Sequence, residues 1–283
     1  MIKNLTKESG LYVTATPIGN LGDITYRAVE TLKSVDFIAC EDTRVTAKLL
    51  RHFGIKVPLV PYHEHNAHEM RPKIINRLNE GQKGALVSDA GTPLVSDPGL
   101  KLVEEVRAEG LNLVPIPGVS APIAALMVAG LPSARFLFDG FLPSKSGARK
   151  KALEVLETIP STLIFFESPK RLVASLVDMA EVFGGNREAS VCRELTKLYE
   201  EVRRDSLDNL INYYLKSGVK GEIVILVEPP RIEKTDEKEA ENILKNALRT
   251  LSTKEASHVG AYLTGLPRKK LYKMALDLKS GKP

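Results

Sequence analysis

Carboxylates, glycines and prolines crowd into three short stretches of this chain, each at a point where an apolar run breaks. Leu86 to Gly99 reads LVSDAGTPLVSDPG, Val13 to Asp23 reads VTATPIGNLGD, and Val114 to Pro122 reads VPIPGVSAP. Glycine at a strand-to-helix turn lets a ligand reach the backbone, because no Cβ intervenes. A helix N-terminus offers unpaired N–H groups to carboxylates and phosphates. Pro17-Ile18-Gly19-Asn20 and Ala90-Gly91-Thr92-Pro93 fit that role, although a tight turn without a ligand is the plainer reading of either one alone. Neither is a G-x-G-x-x-G, which speaks against a dinucleotide site, and the absence of G-x-x-x-x-G-K-[ST] excludes a P-loop. Three such strand ends side by side would form a crevice at the carboxyl edge of a parallel sheet, where open α/β sheets bind ligands.

The titratable residues fall in the same places. Glu41, Asp42, Glu64, Asp89 and Asp97 all follow predicted strands. Such residues usually cap helices; five on one sheet edge favour a site. His63-x-His65-x-x-His68 invites a metal, but zinc needs three or four ligands in fixed geometry and no C-x-x-C pair supplies the rest. A polar loop lining a cleft is the better reading, with no metal. Basic residues cluster at Lys145, Arg149, Lys150 and Lys151 and again at Arg268, Lys269, Lys270 and Lys273. They read as solvated helix faces or as phosphate contacts.

The elements that must position these residues alternate. Strands are expected at Leu11–Ala15, Val35–Cys40, Leu59–Pro61, Ala85–Ser88 and Leu111–Ile116. Helices are expected at Tyr26–Ser34, Val45–Phe53, up to Asn79, Pro98–Glu109 and Ala121–Ala129. This βαβα order predicts a parallel sheet. From Phe136 a second α/β unit follows, with strands at Phe136–Phe141, Thr162–Glu167, Glu188–Arg193 and Glu222–Glu228. Its helices are Lys150–Thr158, Lys170–Phe183 and Ser206–Lys216, and some antiparallel pairing is expected. Arg231 to Glu241 reads as a charged linker. Ser252-Thr253-Lys254-Glu255 has capping-box spacing, and Thr264-Gly265-Leu266-Pro267 separates the helix it starts from a basic helix, Arg268–Leu278, as in a helix-turn-helix. The expected boundaries are residues 1–132, 133–230 and 231–283.

Composition sets the outer bounds. With 283 residues, 43% hydrophobic and 27% charged, the chain has the make-up of a globular protein large enough for two cores. No apolar run reaches the roughly 20 residues of a membrane helix, and MIKNLTKESG lacks the apolar core of a secretory signal. Cys40 and Cys192 sit in apolar contexts, which predicts reduced thiols and a cytoplasmic location. The formal charge of +5 permits a polyanionic partner without demanding one.

Seven motifs in order carry a resemblance: LYVTATPIGNLGDITYRA, CEDTR, YHEHN, SDAGTPLVSDPG, PGVSA, FFESPKRL and CRELTKLYEE. Together they resemble the bacterial small-subunit ribosomal RNA (cytidine-2′-O)-methyltransferase family, of the tetrapyrrole-methylase-like fold class. The resemblance runs from about residue 11 to 228, and the basic helical tail also matches. It implies two α/β domains with S-adenosylmethionine held in the cleft between them, a small C-terminal helical extension, a homodimer, and small-subunit ribosomal RNA as partner. The wider class binds the donor through G-P-G-D, G-G-D-P and P-G-x-[TS]-[SA] loops. The first two read Pro17-Ile18-Gly19-Asn20 and Ala90-Gly91-Thr92-Pro93 here, both departures; Pro117-Gly118-Val119-Ser120-Ala121 meets the third. The implied donor contacts are Pro17, Ile18, Asp89, Ala90, Gly91, Thr92, Ser96, Asp97, Ser120, Ala121, Phe166, Glu167 and Leu195.

A sulfonium methyl is already electrophilic, so the chain's task is mainly to orient a ribose 2′-hydroxyl behind it. A base for the hydroxyl proton adds to the rate; Asp42, Glu64, His63 and Asp89 are the candidates. Arg44, Lys145, Arg149, Lys170, Arg171 and Arg193 are candidate phosphate ligands. Methylation of a tetrapyrrole carbon on the same fold, and a non-catalytic RNA-binding assembly factor, are the alternatives.

Overall fold

The computed structural model describes residues 8–230 and 237–280. The first half of the chain runs β1 (Gly10–Thr14), α1 (Tyr26–Ser34), β2 (Phe37–Cys40), α2 (Thr43–His52), β3 (Leu59–Pro61), α3 (Ala67–Asn79), β4 (Lys83–Val87), α4 (Leu100–Ala108), β5 (Leu113–Ile116) and α5 (Ala121–Val128). Its strands form one parallel sheet in the order β3-β2-β4-β1-β5. Side-chain alternation sends successive residues to opposite faces. Tyr12, Ile38 and Ala85 join Leu32 and Leu50 on one side, while Leu11, Phe37, Ala39 and Leu86 join Ile74, Leu78 and Leu102 on the other. All four residues of β2 are buried, the pattern of a parallel sheet covered on both faces. Because β4 returns to lie between β2 and β1, the three Gly/Pro breaks leave neighbouring strands β4, β1 and β5 at one edge.

The second half runs β6 (Phe136–Phe141), α6 (Ser146–Leu156), β7 (Thr162–Glu167), α7 (Leu172–Phe183), β8 (Glu188–Arg193), β9 (Glu201–Ser206), α8 (Leu207–Ser217) and β10 (Ile223–Val227). Its sheet is mixed, in the order β6-β7-β10-β8-β9, with β6 and β7 parallel and the other pairs antiparallel. Leu163, Phe165, Ile223 and Ile225 pack under α6, α7 and α8. The alternate residues Ile164, Val224, Leu226 and Cys192 pack with Ala125, Leu126 and Ala129 of α5 and its C-terminal end. Thus α5, an all-apolar helix of the first half, covers the far face of the second sheet, and Ile18 belongs to the same core. Residues up to Pro229 form one compact unit.

Residues from Pro230 form a separate compact unit. Its helices α9 (Glu237–Ala247), α10 (Thr253–Thr264) and α11 (Arg268–Ser280) enclose Ala240, Leu244, Ala256, Leu271 and Ala275. Ser252 and Glu255 make the reciprocal bonds of the capping box, and Gly265 ends α10 in the left-handed conformation.

Some elements differ from expectation. β9 lies where no strand was expected: EVRRDS has no apolar run, and as an edge strand it is bonded only to β8. Helix α9 begins inside the expected linker, since Ala240 and Leu244 supply a buried stripe among the charges; Arg231 to Asp236 lie outside the described residues, as does most of the MIKNLTKESG segment. Helix α6 starts at Ser146 rather than Lys150.

Candidate active site at the strand tips

Hydrogen bonds tie the three broken strand ends to one another. Thr16 and Gly91 exchange backbone bonds of 2.8 and 3.1 Å, and the Thr16 hydroxyl donates to the Ser88 carbonyl at 3.1 Å. The Thr92 hydroxyl donates to the Val119 carbonyl at 2.9 Å, and the Ser88 hydroxyl donates to the Gly91 carbonyl at 3.1 Å. Gly91 has φ +81°, and a Cβ there would sit 3.2 Å from Ile18. Leu94 and Ser96, with φ of 73° and 64°, hold left-handed conformations that non-glycine residues rarely adopt. Such local strain marks a loop whose shape is imposed by its surroundings.

The second sheet brings its own tips to the same place. Phe141 ends β6 and Phe166 lies near the end of β7, their ring centroids 5.4 Å apart. After β8, Glu194 and Thr196 flank Leu195 with φ of 50° and 67°. The Lys197 stem crosses Gly19 so closely that a Cβ there has no room. Its ammonium is held by Glu194 at 2.8 Å and Glu222 at 3.2 Å. Between the two sets of tips lies a cavity of about 490 Å³, within the range that takes a nucleoside-sized ligand.

Ile18, Asp89, Ala90, Gly91, Thr92, Ser96, Asp97, Ser120, Ala121, Phe166, Glu167 and Leu195 all line this cavity. Pro17 is buried and does not. Sequence reasoning left out Val95, Pro122, Phe141, Ser168, Pro169, Cys192 and the stretch from Gly221 to Val224, and it named Glu41 among the strand-end carboxylates without giving it a donor-binding or proton-accepting role. The Gly221 stretch runs into β10, and a strand's amino end carries no turn signature of a site. Glu41 stands one residue before the more conspicuous Asp42.

Three carboxylates share the first-half wall. Burial and the charges of Asp89, Asp42 and Glu64 push the Glu41 carboxyl above its ordinary range, against a lowering effect of His63. Burial, Glu41 and Asp89 push Asp97 up to about 6. Asp89 accepts the Asp42 backbone N–H at 3.0 Å. On the opposite wall the Glu167 carboxylate is consumed by Ser175 at 2.5 Å, the Ser168 N–H at 2.7 Å and Arg171 at 3.3 Å. Burial drives the Cys192 thiol up to about 11, so it stays protonated.

The remaining candidates sit elsewhere. Asp42 caps α2 through the Arg44 N–H and pairs with the Arg44 guanidinium at 2.6 Å, which holds its carboxyl at about 2. A group so acidic is a poor proton acceptor, and it does not line the cavity. His63 and Glu64 follow β3, outside the lining. His63 Nδ1 is buried without a hydrogen-bond partner, and His65 and His68 are exposed. Among the described residues no cluster of three His, Cys, Asp or Glu is placed to hold a metal ion.

The cations divide. Arg149 is a correction: its side chain is 4% exposed and bonds Asp178 at 2.6 Å and the Ser144 carbonyl at 3.2 Å, so no phosphate reaches it. Arg171 donates to the Leu142 carbonyl at 2.7 Å, and Arg193 pairs with Glu201 at 3.2 Å. Both shape loops. Lys145, Lys170 and Arg44 are exposed, Arg44 by 87%. Lys170 follows Ser168 and Pro169 of the cavity wall, and Lys145 precedes α6.

Comparison with known proteins places this geometry. Residues 10–211 match the family of Tetrapyrrole (Corrin/Porphyrin) Methylases, and residues 234–279 match the RsmI C-terminal HTH domain. The chain is 50% identical over 273 residues to the ribosomal RNA small subunit methyltransferase I of Mesorhizobium japonicum, covering 96% of this chain and 93% of that one. It is 45% identical to the protein of that name from Escherichia coli O157:H7, covering 94% of each. Among solved structures it is similar to a cobalt precorrin-4 methyltransferase, with TM-score 0.60 and 16% identity over 81% of this chain and 98% of that one. A diphthine synthase gives TM-score 0.58 at 18% identity over 77% of this chain and 89% of that one.

Proposed function

Since the chain belongs to the tetrapyrrole methylase family, and within it to the ribosomal RNA small subunit methyltransferase I group, we propose that it moves a methyl group from S-adenosylmethionine to the 2′-oxygen of a cytidine in small-subunit ribosomal RNA. The observation that carries this reading is the cradle of strand tips from both sheets around one cavity. Its residues fit the donor. Gly91 leaves open a place that a side chain would fill, next to Ile18. Ile18, Phe166 and Leu195 offer apolar surface to a nucleoside and a thioether, while Thr92 and Ser120 stand at the polar turns. When bound, the donor supplies an electrophilic methyl on a sulfonium.

The chain's own residues then have three tasks. The strand tips fix the donor by backbone and shape, so that orientation provides most of the acceleration. Asp89 sets negative charge in a half-buried wall where a cation is received. Lys145 and Lys170 take RNA phosphates and position the ribose, and the cations of α11 add phosphate contacts. Only RNA carries the hydroxyl that this reaction needs. No described helix is long and apolar enough to cross a membrane; the proposed setting is the cytoplasm, where the ribosomal particle is the substrate. The proposal includes a homodimer, for which the exposed Met127 and Val128 of α5 supply apolar surface.

The test is label transfer. With methyl-labelled donor, small ribosomal subunits are expected to take up label in an alkali-resistant dinucleotide, because a methylated 2′-oxygen cannot attack the adjacent phosphate. Label that enters a precorrin and no RNA would move the protein to the tetrapyrrole reading. Donor binding without any transfer to RNA would favour an assembly factor.

A further inference from the structure

Methylating a hydroxyl releases a proton, and the residues lining the cavity limit where it can go. Its titratable groups are Glu41, Asp89, Asp97, Glu167, Cys192 and Glu222. Glu167 is spent on Ser175, Ser168 and Arg171. Glu222 holds Lys197, and Asp89 holds the N–H of Asp42. Cys192 lies fully buried in the core between α5 and β8. Of the rest, Glu41 lies at the tip of β2, and Asp97 lies on the loop after β4 beside the Ser88 hydroxyl.

We propose that Asp97 is the base that accepts the 2′-hydroxyl proton, an inference that rests on the ribose-methylating reading above. Asp97 sits on the loop forced into shape by left-handed Leu94 and Ser96, which fixes its carboxylate on the cavity wall. In the transfer, the bond between the 2′-oxygen and the methyl carbon forms as the methyl–sulfur bond breaks. The electron pair of that bond stays on sulfur, which loses its charge, and the hydroxyl proton passes to the Asp97 carboxylate. Solvent later takes it up.

The electrostatics agree with this role. Two carboxylates, Glu41 and Asp89, act on Asp97, with the nearby Ser88 hydroxyl opposing them. Glu41 in turn feels Asp42, Asp89, Glu64 and His63. Arg44 acts on Asp89 and is neutralised by Asp42. Across the cavity Arg171 and Lys197 are each paired with carboxylates. A base works best when its affinity for the proton lies near the operating pH, and burial first, then the crowding of like charges, supplies that lift.

The experiment compares wild type, Asp97→Asn and Glu41→Gln. In the free protein, the Asp97 carboxyl carbon resonance is expected to titrate near pH 6 and to move lower in E41Q. Asp97→Asn is expected to bind donor within about threefold of wild type while kcat falls about a hundredfold or more. The acid limb of kcat/KM is expected to vanish in D97N and to shift to lower pH in E41Q. Wild-type kcat in D97N, an acid limb that persists there, or an Asp97 resonance unmoved by E41Q would overturn the assignment. So would loss of donor binding in D97N, which would make Asp97 a donor ligand. Failure of wild type to label RNA would instead remove the ribose-methylating reading itself.

Discussion

Asp97 carries a stability cost that follows from its position. Its folded-state carboxyl titrates at about 6, above the ordinary value of 3.8. A raised carboxyl favours the protonated folded protein, so stability is lost as the pH climbs from about 4 through 6 and the charge appears. Asp97→Asn is therefore expected to melt higher than wild type at pH 8, by on the order of 1 kcal/mol once solvent screening is allowed for, and to match it near pH 4. Calorimetric melting at both values checks the sign; a lower melting point for D97N at pH 8 would contradict it. Arg149 shows the opposite balance. Its ion pair with Asp178 is closed from solvent on both sides, at 4% and 6% exposure. Arg149→Met leaves the buried Asp178 with the Ser146 hydroxyl but no counter-charge in contact and is expected to cost about 3–5 kcal/mol in urea denaturation. Unchanged stability with weakened RNA binding would return Arg149 to the phosphate ligands. Nothing in GARKK distinguishes a buried guanidinium from an exposed one, since burial is set by α7, far along the chain.

At the scale of elements, the turn after β4 decides whether the cradle exists. Gly91→Ala must adopt a left-handed backbone and crowd Ile18. It is expected to reduce the donor-induced rise in melting temperature, equivalent to about tenfold weaker binding; an undiminished rise would show that the turn does not touch the donor. The sequence made this turn visible because Gly, Pro, Asp and Ser interrupt an apolar run there, and the same signal exposed the breaks after β1 and β5. The buried strands β2, β7 and β10 were visible as unbroken apolar runs. β9 was not, because EVRRDS gains its strand character from pairing with β8 rather than from its own residues. Half of the cavity was hidden for a related reason. Ile223 and Val224 look like ordinary strand residues, and their place at the wall comes from the antiparallel run of β10 against β7.

For the molecule as a whole, the unit that ends at Pro229 holds the cavity and its own cores, and in the unit of α9, α10 and α11 the last helix alone carries five cations. A chain ended at Pro229 is expected to bind donor as wild type does but to methylate RNA at least tenfold less well, measured by label transfer at subsaturating RNA. Its RNA affinity is expected to depend less steeply on salt, by about 0.9 in log–log slope for each phosphate contact removed; an identical slope would make the C-terminal helices irrelevant to RNA. The most direct test of the strand-tip cradle is calorimetric titration of S-adenosylmethionine into wild type and Gly91→Trp. Saturable binding of one donor per chain, abolished by the tryptophan while the variant still melts cooperatively, is the expected result. No binding to wild type, or equal affinity in the folded variant, would contradict it.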